Sequence, residues 1–143
     1  MNIKKMIKKD IEDVSILASL LYHSSIEEII EDFNKLINKD NIVLYLEIEN
    51  KKIGFAHFSI RKDYVEGTKS NPVLYLEGIY IKEEYRNNGY SKLLINEGIK
   101  WGKENNCKEF ASDCEETNVN SINFHKKIGF NEVNRIVCFT KEI

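Results

Sequence analysis

Apolar side chains recur in this chain at two spacings, and the switches between them mark out its elements. Asn2 to Met6 reads as a short first strand. From Asp10, a residue type that caps helices, Ile11, Val14, Leu17, Ala18 and Leu21 return at helical intervals and predict a helix ending near Tyr22. After a turn at His23-Ser24-Ser25, the series Ile26, Ile29, Ile30, Phe33, Leu36, Ile37 predicts a second helix, leaving at Asn38 to Asn41. Then the spacing changes. Ile42 to Ile48 and Ile53 to Ile60 have the β-branched and aromatic density of strands, and a tight turn at Asn50-Lys51-Lys52 makes them a hairpin. Residues 61–72, RKDYVEGTKSNP, are polar and contain the only proline. They predict a loop long enough to be functional.

The stretch from Tyr75 to Ile99, YLEGIYIKEEYRNNGYSKLLINEGI, organises the rest. Tyr75, Leu76, Ile79, Tyr80 and Ile81 form a strand interrupted at Glu77-Gly78, and a glycine inside a strand suggests a bulge or a close backbone approach. The loop from Arg86 to Ser91 leads into an amphipathic helix with Leu93, Leu94 and Ile99 on its apolar side, continuing through Trp101. Strand, loop and helix N-terminus together make an anion site, because the first N–H groups of a helix have no internal acceptor and its dipole favours negative charge. Gly89 lets the backbone approach a phosphate without a Cβ in the way. Lys108 to Asp113 predicts a short strand, Asn118 to Ile128 a helix closed by Gly129, and Phe130 to Lys141 a last strand. The order β-α-α-β-β-β-α-β-α-β describes one α/β (α+β) domain over residues 1–143, with a mixed central sheet flanked by helices on both faces.

Bulk properties narrow the function. With 143 residues, 42% hydrophobic and 31% charged, the chain is long enough for a proper core. A net charge of −2 without a basic block gives no support to a nucleic-acid partner. Cys107, Cys114 and Cys138 are too few for a disulfide framework and lack the spacing of a zinc site, so no metal is expected and reduced cytoplasmic thiols fit best. The N-terminus lacks the apolar core of a signal peptide and no apolar run approaches a membrane span. The expectation is therefore a cytoplasmic protein without a membrane partner.

Arg86-Asn87-Asn88-Gly89-Tyr90-Ser91 resembles the (Arg/Gln)-x-x-Gly-x-(Gly/Ala) loop of the GNAT N-acetyltransferases, with Ser91 at a position where Gly or Ala is usual. The element order is also that of the GNAT fold, so the resemblance covers essentially the whole chain. It implies acetyl-CoA as cosubstrate, its pyrophosphate cradled by Asn87, Asn88, Gly89, Tyr90, Ser91 and Lys92. It also implies that the backbone of the strand after Glu77, through Ile79, Tyr80 and Ile81, binds pantetheine. Asn118 to Phe130 resembles the family pattern Asn-x-x-Ala-x-x-x-Tyr-x-x-x-Gly-Phe: Asn118 matches a residue that contacts the pantetheine arm, Ser121 replaces the Ala, and His125 replaces a Tyr that can protonate the departing thiolate. His125 could donate there, or be a packed helix histidine.

Acetyl transfer to an amine needs a proton acceptor near that amine and stabilisation of the carbonyl oxygen. Glu77, mid-strand at a bulge that can re-aim a side chain into a cleft, is the first candidate. Asp113, closing the next strand, is the second: a parallel neighbour would bring it to the crevice at the strands' carboxyl ends, and capping a turn is its other reading.

The segments DYVEGTKSNPV, YLEGIYIKEEYRNNG, WGKENNCKEFASD and FHKKIGF, with the ending RIVCFTK, are similar to the short aminoglycoside 6'-N-acetyltransferases. That resemblance implies a small cationic substrate, an aminoglycoside, in a pocket lined by Tyr22, Tyr64, Glu77, Asp113 and Asn134. It implies a homodimer through the C-terminal strand region as well. Two positions depart from it. Ser24 and Asn134 stand where those enzymes carry a carboxylate, while Tyr22 replaces a Trp. Glu66, Glu115, Glu116, Glu27 and Glu28 are candidate replacements or solvated side chains. These departures leave a second reading, the same chemistry on a polyamine, an amino sugar or a protein N-terminus; His125 in place of Tyr and Ser91 leave a third, a module that binds acyl-CoA or a cationic ligand without turnover.

Overall fold

Five strands lie side by side in the order in which the chain makes them. The computed structural model describes residues 1–143. Its sheet runs β1 (Asn2–Lys5), β2 (Asn41–Ile48), β3 (Lys51–Arg61), β4 (Val73–Ile81) and β5 (Phe110–Ala111), antiparallel except for the parallel β4–β5 pair. Helices α1 (Ile11–Ala18), α2 (Ile26–Lys35), α3 (Tyr90–Glu104) and α4 (Val119–Lys127) complete it.

The period-two alternation of the strands sorts side chains onto two faces. Leu44, Leu46, Ala56, Phe58, Ile60, Leu74 and Leu76 bury against Leu94 and Ile95 of α3. Val43, Tyr45 and Phe55 bury on the other face against Val14, Leu17 and Ala18 of α1 and Ile29 and Phe33 of α2. Glycines let α3 approach the sheet closely: a Cβ at Gly98 would sit 2.2 Å from the Phe58 ring, and one at Gly102 would sit 2.8 Å from Leu74. No helix is long and apolar enough to cross a membrane.

Several boundaries differ from the periodicity. α1 stops at Ala18 and a run of turns carries the chain through Tyr22 to Ser25, whose hydroxyl accepts from the Glu28 amide and caps α2. Asp10 precedes α1 without capping it. Its carboxylate accepts instead from the Ile7 amide and the Tyr45 hydroxyl, tying the helix start to β2. β5 is only two residues long.

The largest correction concerns the last strand, expected over Phe130 to Lys141. Residues 131–143 adopt no helix or strand. Phe130 packs on Phe110 at 4.8 Å, but beyond it Val133, Ile136, Val137 and Phe139 stand exposed, Phe139 to 89%. The apolar density that predicts a strand is present, but the segment pairs with none of the five strands. Where the tail crosses the 62–72 loop, Asn134 Nδ2 donates to Glu66 Oε1 at 2.8 Å and the Val133 side chain lies against Gly67; further on, Arg135 pairs with Glu116 and Glu132.

Candidate active site

The bulge expected at Glu77 is present. His57 pairs with Gly78 and Phe58 with Leu76, so Glu77 is the extra residue on β4. The parallel partner also ends here: β5 matches β4 only at Leu74–Phe110 and Tyr75–Ala111. From Glu77 to Ile81 the second edge of β4 has no neighbouring strand, leaving backbone N–H and C=O groups for another partner. Ser112 marks the parting, with its hydroxyl 3.3 Å from the Leu76 carbonyl.

The open edge leads to the anion loop. Arg86 Nε donates to the Ile81 carbonyl at 2.8 Å, its guanidinium lies over the Tyr80 ring, and Asn88 Nδ2 donates to the Tyr85 and Arg86 carbonyls. These side chains therefore shape the turn. Asn87 (φ 64°) and Gly89 (φ 79°) are left-handed, and the space beside Gly89 is open: nothing lies within 4 Å of where its Cβ would be. The first-turn N–H groups of Tyr90, Ser91 and Lys92 have no acceptor inside α3. A cradle of free amides, a glycine with space in front of it and an unpaired strand edge fits a phosphate-bearing, amide-containing cosubstrate such as acetyl-CoA.

On the far side, Asn118 Oδ1 accepts from the Ser121 amide and caps α4. His125 Nδ1 donates to the Ser121 carbonyl at 2.7 Å, so its Nε2, 2.8 Å from the Ser112 hydroxyl, is the acceptor in the neutral ring. His125 thereby ties α4 to the end of β5, and Phe130 packs on its ring.

A cleft of about 450 Å³ opens between α2, the turns after α1 and the bulge. Tyr22, His23, Ser24, Asp32, His57 and Glu77 line it, with Ile29, Phe33 and Leu36 as its apolar floor. Tyr22 reaches over Gly78, where a Cβ would meet its hydroxyl, and its ring packs 6.1 Å from Phe55. Burial, with the nearby Glu77 charge, pushes the Tyr22 hydroxyl up to about 12, so it stays a hydrogen-bond donor. His57 Nε2 donates to Asn41 Oδ1 at 2.8 Å, and burial pushes its imidazole down to about 4. At neutral pH it adds no positive charge to the cleft.

Glu77 itself is heavily engaged. Its Oε1 accepts from the Ser59 hydroxyl at 2.6 Å and from Arg61 Nε and Nη2 at 3.1 and 2.9 Å; Oε2 accepts from Arg61 Nη2 at 3.0 Å. The Arg61 guanidinium lies 3.4 Å from the centre of the Tyr75 ring, and the Tyr75 hydroxyl donates to Asp113 Oδ2 at 2.6 Å. Burial and that bond hold the Tyr75 hydroxyl well above its usual range.

Of the sequence candidates, Tyr22 and Glu77 share the cleft, and Asp113 connects to Glu77 through Tyr75 and Arg61. Tyr64, 82% exposed, sits in a second cavity of about 500 Å³ with Asp40 and Arg61, and its hydroxyl donates to Glu66. Asn134 binds the other oxygen of Glu66 rather than lining the cleft. Three features in or beside the cleft escape the sequence reading: Asp32, neutral His57, and the Ser59–Arg61 clamp on Glu77. The signal for the last two is the alternation His57, Ser59, Arg61 against Phe58 and Ile60 on β3.

A parallel strand pair that parts at a bulged, acid-bearing strand, with an anion-binding turn beyond it, is the arrangement of an acetyltransferase. The chain belongs to the acetyltransferase (GNAT) family, whose model matches residues 12–130. Among individual proteins, it is 34% identical to the aminoglycoside N(6')-acetyltransferase type 1 of Acinetobacter haemolyticus, covering 100% of this chain and 99% of that one. The apo crystal structure of aminoglycoside antibiotic 6'-N-acetyltransferase AAC(6')-IG from Acinetobacter haemolyticus matches with a TM-score of 0.97 at 34% identity, over 100% of this chain and 99% of that one. AAC(6')-Iy, solved with the bisubstrate analog CoA-S-monomethyl-acetylneamine, matches with a TM-score of 0.92 at 30% identity, over 99% and 98% of the two chains.

Proposed function

We propose that this protein transfers the acetyl group of acetyl-CoA to the 6'-amine of an aminoglycoside by direct attack of the amine on the thioester. The observation that carries the reading is Glu77, placed by its bulge where the acid-lined cleft meets the open edge of β4. Full-length similarity to enzymes named for this reaction supports the substrate class.

In this reading the amides at the start of α3 take the pyrophosphate, and the free groups of Gly78 to Ile81 pair with the amides of the pantetheine arm. Bound acetyl-CoA supplies the acetyl group as a thioester. Glu77 and Asp32 draw the ammonium form of the substrate into the cleft, while uncharged His57 does not oppose it. Asp32 on α2 stands in for the carboxylate replaced by Ser24. Glu77 orients the amine and accepts its proton, directly or through a water, leaving the nitrogen lone pair free. A backbone N–H of the open β4 edge polarises the thioester carbonyl. The new C–N bond forms as the C–S bond breaks. Of the two protons that leave the ammonium nitrogen, one ends on the coenzyme A thiol and the other passes through Glu77 to solvent.

Coenzyme A thiol release, followed with kanamycin, tobramycin, spermidine and glucosamine, tests this. Release with the two antibiotics, absent when the 6'-amine of kanamycin is blocked, is expected. Release only with the small amines would move the substrate to another amine class, with Ser24 as its cause. No release with any of them would favour a binding module.

The same reading includes a homodimer. The exposed apolar residues Val133, Ile136, Val137 and Phe139 would be covered by a second copy of this chain, which carries the same unpaired segment. Sedimentation should give a dimer for the protein and a monomer when Val137→Asp and Phe139→Asp are combined. A monomer for both would remove the dimer from the reading.

A further inference from the structure

Arg61 is a charged side chain in direct contact with the proposed proton acceptor, and neither the sequence motifs nor the reaction outlined above gives it a role. It reaches Glu77 by three hydrogen bonds, two to Oε1 and one to Oε2. A fork of this kind fixes the plane of a carboxylate as well as its position. The Ser59 hydroxyl adds a third donor to Oε1. A carboxylate oxygen has two lone pairs. Oε1 is therefore filled, and Oε2, with one donor, keeps one lone pair.

The direction of approach matters as much as the count. Glu77 lines the cleft that also holds Tyr22, Asp32 and His57, and Arg61 does not. Arg61 lines the second cavity, with Asp40, Lys62, Asp63 and Tyr64. The guanidinium thus reaches the carboxylate from outside the cleft and leaves the cleft side free. It is fixed in turn by its stack on Tyr75 at 3.4 Å, and Tyr75 is fixed by Asp113. The two acidic candidates of the sequence, Glu77 and Asp113, are the ends of one line of contacts with Arg61 and Tyr75 between them.

We propose that Arg61 is a positioning residue for acetyl transfer: it locks the Glu77 carboxylate so that a single Oε2 lone pair faces the cleft as the seat for the substrate amine. The proposal rests on the acetyltransferase reading. Without the guanidinium, Ser59 alone holds the carboxylate, which then turns about its terminal torsion and presents either oxygen. Productive orientation is lost in turnover, because a misplaced acceptor costs rate even where binding persists.

The test compares Arg61→Ala and Arg61→Lys with the unmodified protein, using kanamycin and acetyl-CoA. Acetyl-CoA binding is measured separately by calorimetry, and folding by thermal melting. For Arg61→Ala, kcat is expected to fall by roughly 10- to 100-fold, with acetyl-CoA affinity within twofold of normal. Arg61→Lys should recover part of the loss, since an ammonium supplies the charge without the fork. Guanidinium ion added at millimolar concentration should raise kcat of Arg61→Ala and leave the unmodified protein unaffected; a merely structural loss would not respond. A kcat for Arg61→Ala within twofold of normal overturns the proposal. So does a loss that neither guanidinium nor lysine recovers, or one that follows a fall in melting temperature and in acetyl-CoA affinity. If the unmodified protein releases no coenzyme A with any amine, the acetyltransferase reading itself fails, and the unmodified arm identifies that case.

Discussion

Replacing Glu77 by Gln should lower kcat by about 10²- to 10³-fold while acetyl-CoA binds as before. The substitution preserves shape. The amide oxygen still accepts from Ser59 and from Arg61 Nε and Nη2, and only the single Arg61 bond to Oε2 is lost. The change falls on the second position, where an NH₂ replaces the oxygen facing the cleft. An amide nitrogen cannot take a proton from an ammonium, and it points a donor at a donor. The structural cost is small, because Glu77 and Arg61 side chains are 27% and 40% exposed and water reaches both. Steady-state thiol release gives kcat, and calorimetry gives acetyl-CoA affinity. Unchanged kcat would remove Glu77 as proton acceptor. A raised KM for the aminoglycoside with normal kcat would reduce it to a binding group.

The second large effect lies under the site. Phe58→Ala should destabilise the fold by about 3–5 kcal/mol, the usual range for emptying a buried aromatic position. Phe58 is fully buried, Gly98 of α3 leaves no room for a Cβ above its ring, and Phe110 of β5 packs 6.0 Å away. Neither neighbour can collapse into the space, since one is helix backbone and the other sits on the short β5. Against a typical total of about 5–15 kcal/mol, such a loss removes a large share of stability. Urea denaturation would measure it, and a loss below about 1 kcal/mol would show that the α3 interface is looser than the contacts indicate. Phe58 also flanks the register shift opposite Glu77, so activity should suffer in the surviving folded fraction.

Much of this was legible from residue order, for identifiable reasons. Gly78 breaks a run of β-forming residues, and such a break signals a bulge or a close backbone approach whether or not the function is known. Gly89 before an amphipathic run marks a helix N-terminus, and its left-handed φ requires the residue type found there. Asp32 is illegible for the opposite reason. It lies on the wet side of α2 among Glu27, Glu28 and Glu31, and helical periodicity does not say which carboxylate looks across to β3 and β4. Arg61 follows the apolar part of a strand and reads as the first residue of a loop. Its role depends on cross-strand neighbours, which only the register reveals. The tail fails most plainly: RIVCFTK has the composition of a strand, but a strand is defined by a partner, and this segment pairs with none of the five strands.

The order of the sheet has a consequence for how the protein is made. Because strands follow one another in space as they do in sequence, each finds its neighbour already synthesised when it leaves the ribosome. Four antiparallel strands and three helices are complete before Phe110 appears. The candidate site is not: its far wall, from Phe110 through α4 to Phe130, is made after them. A chain interrupted late in translation would keep most of its core and lack one side of its cosubstrate groove.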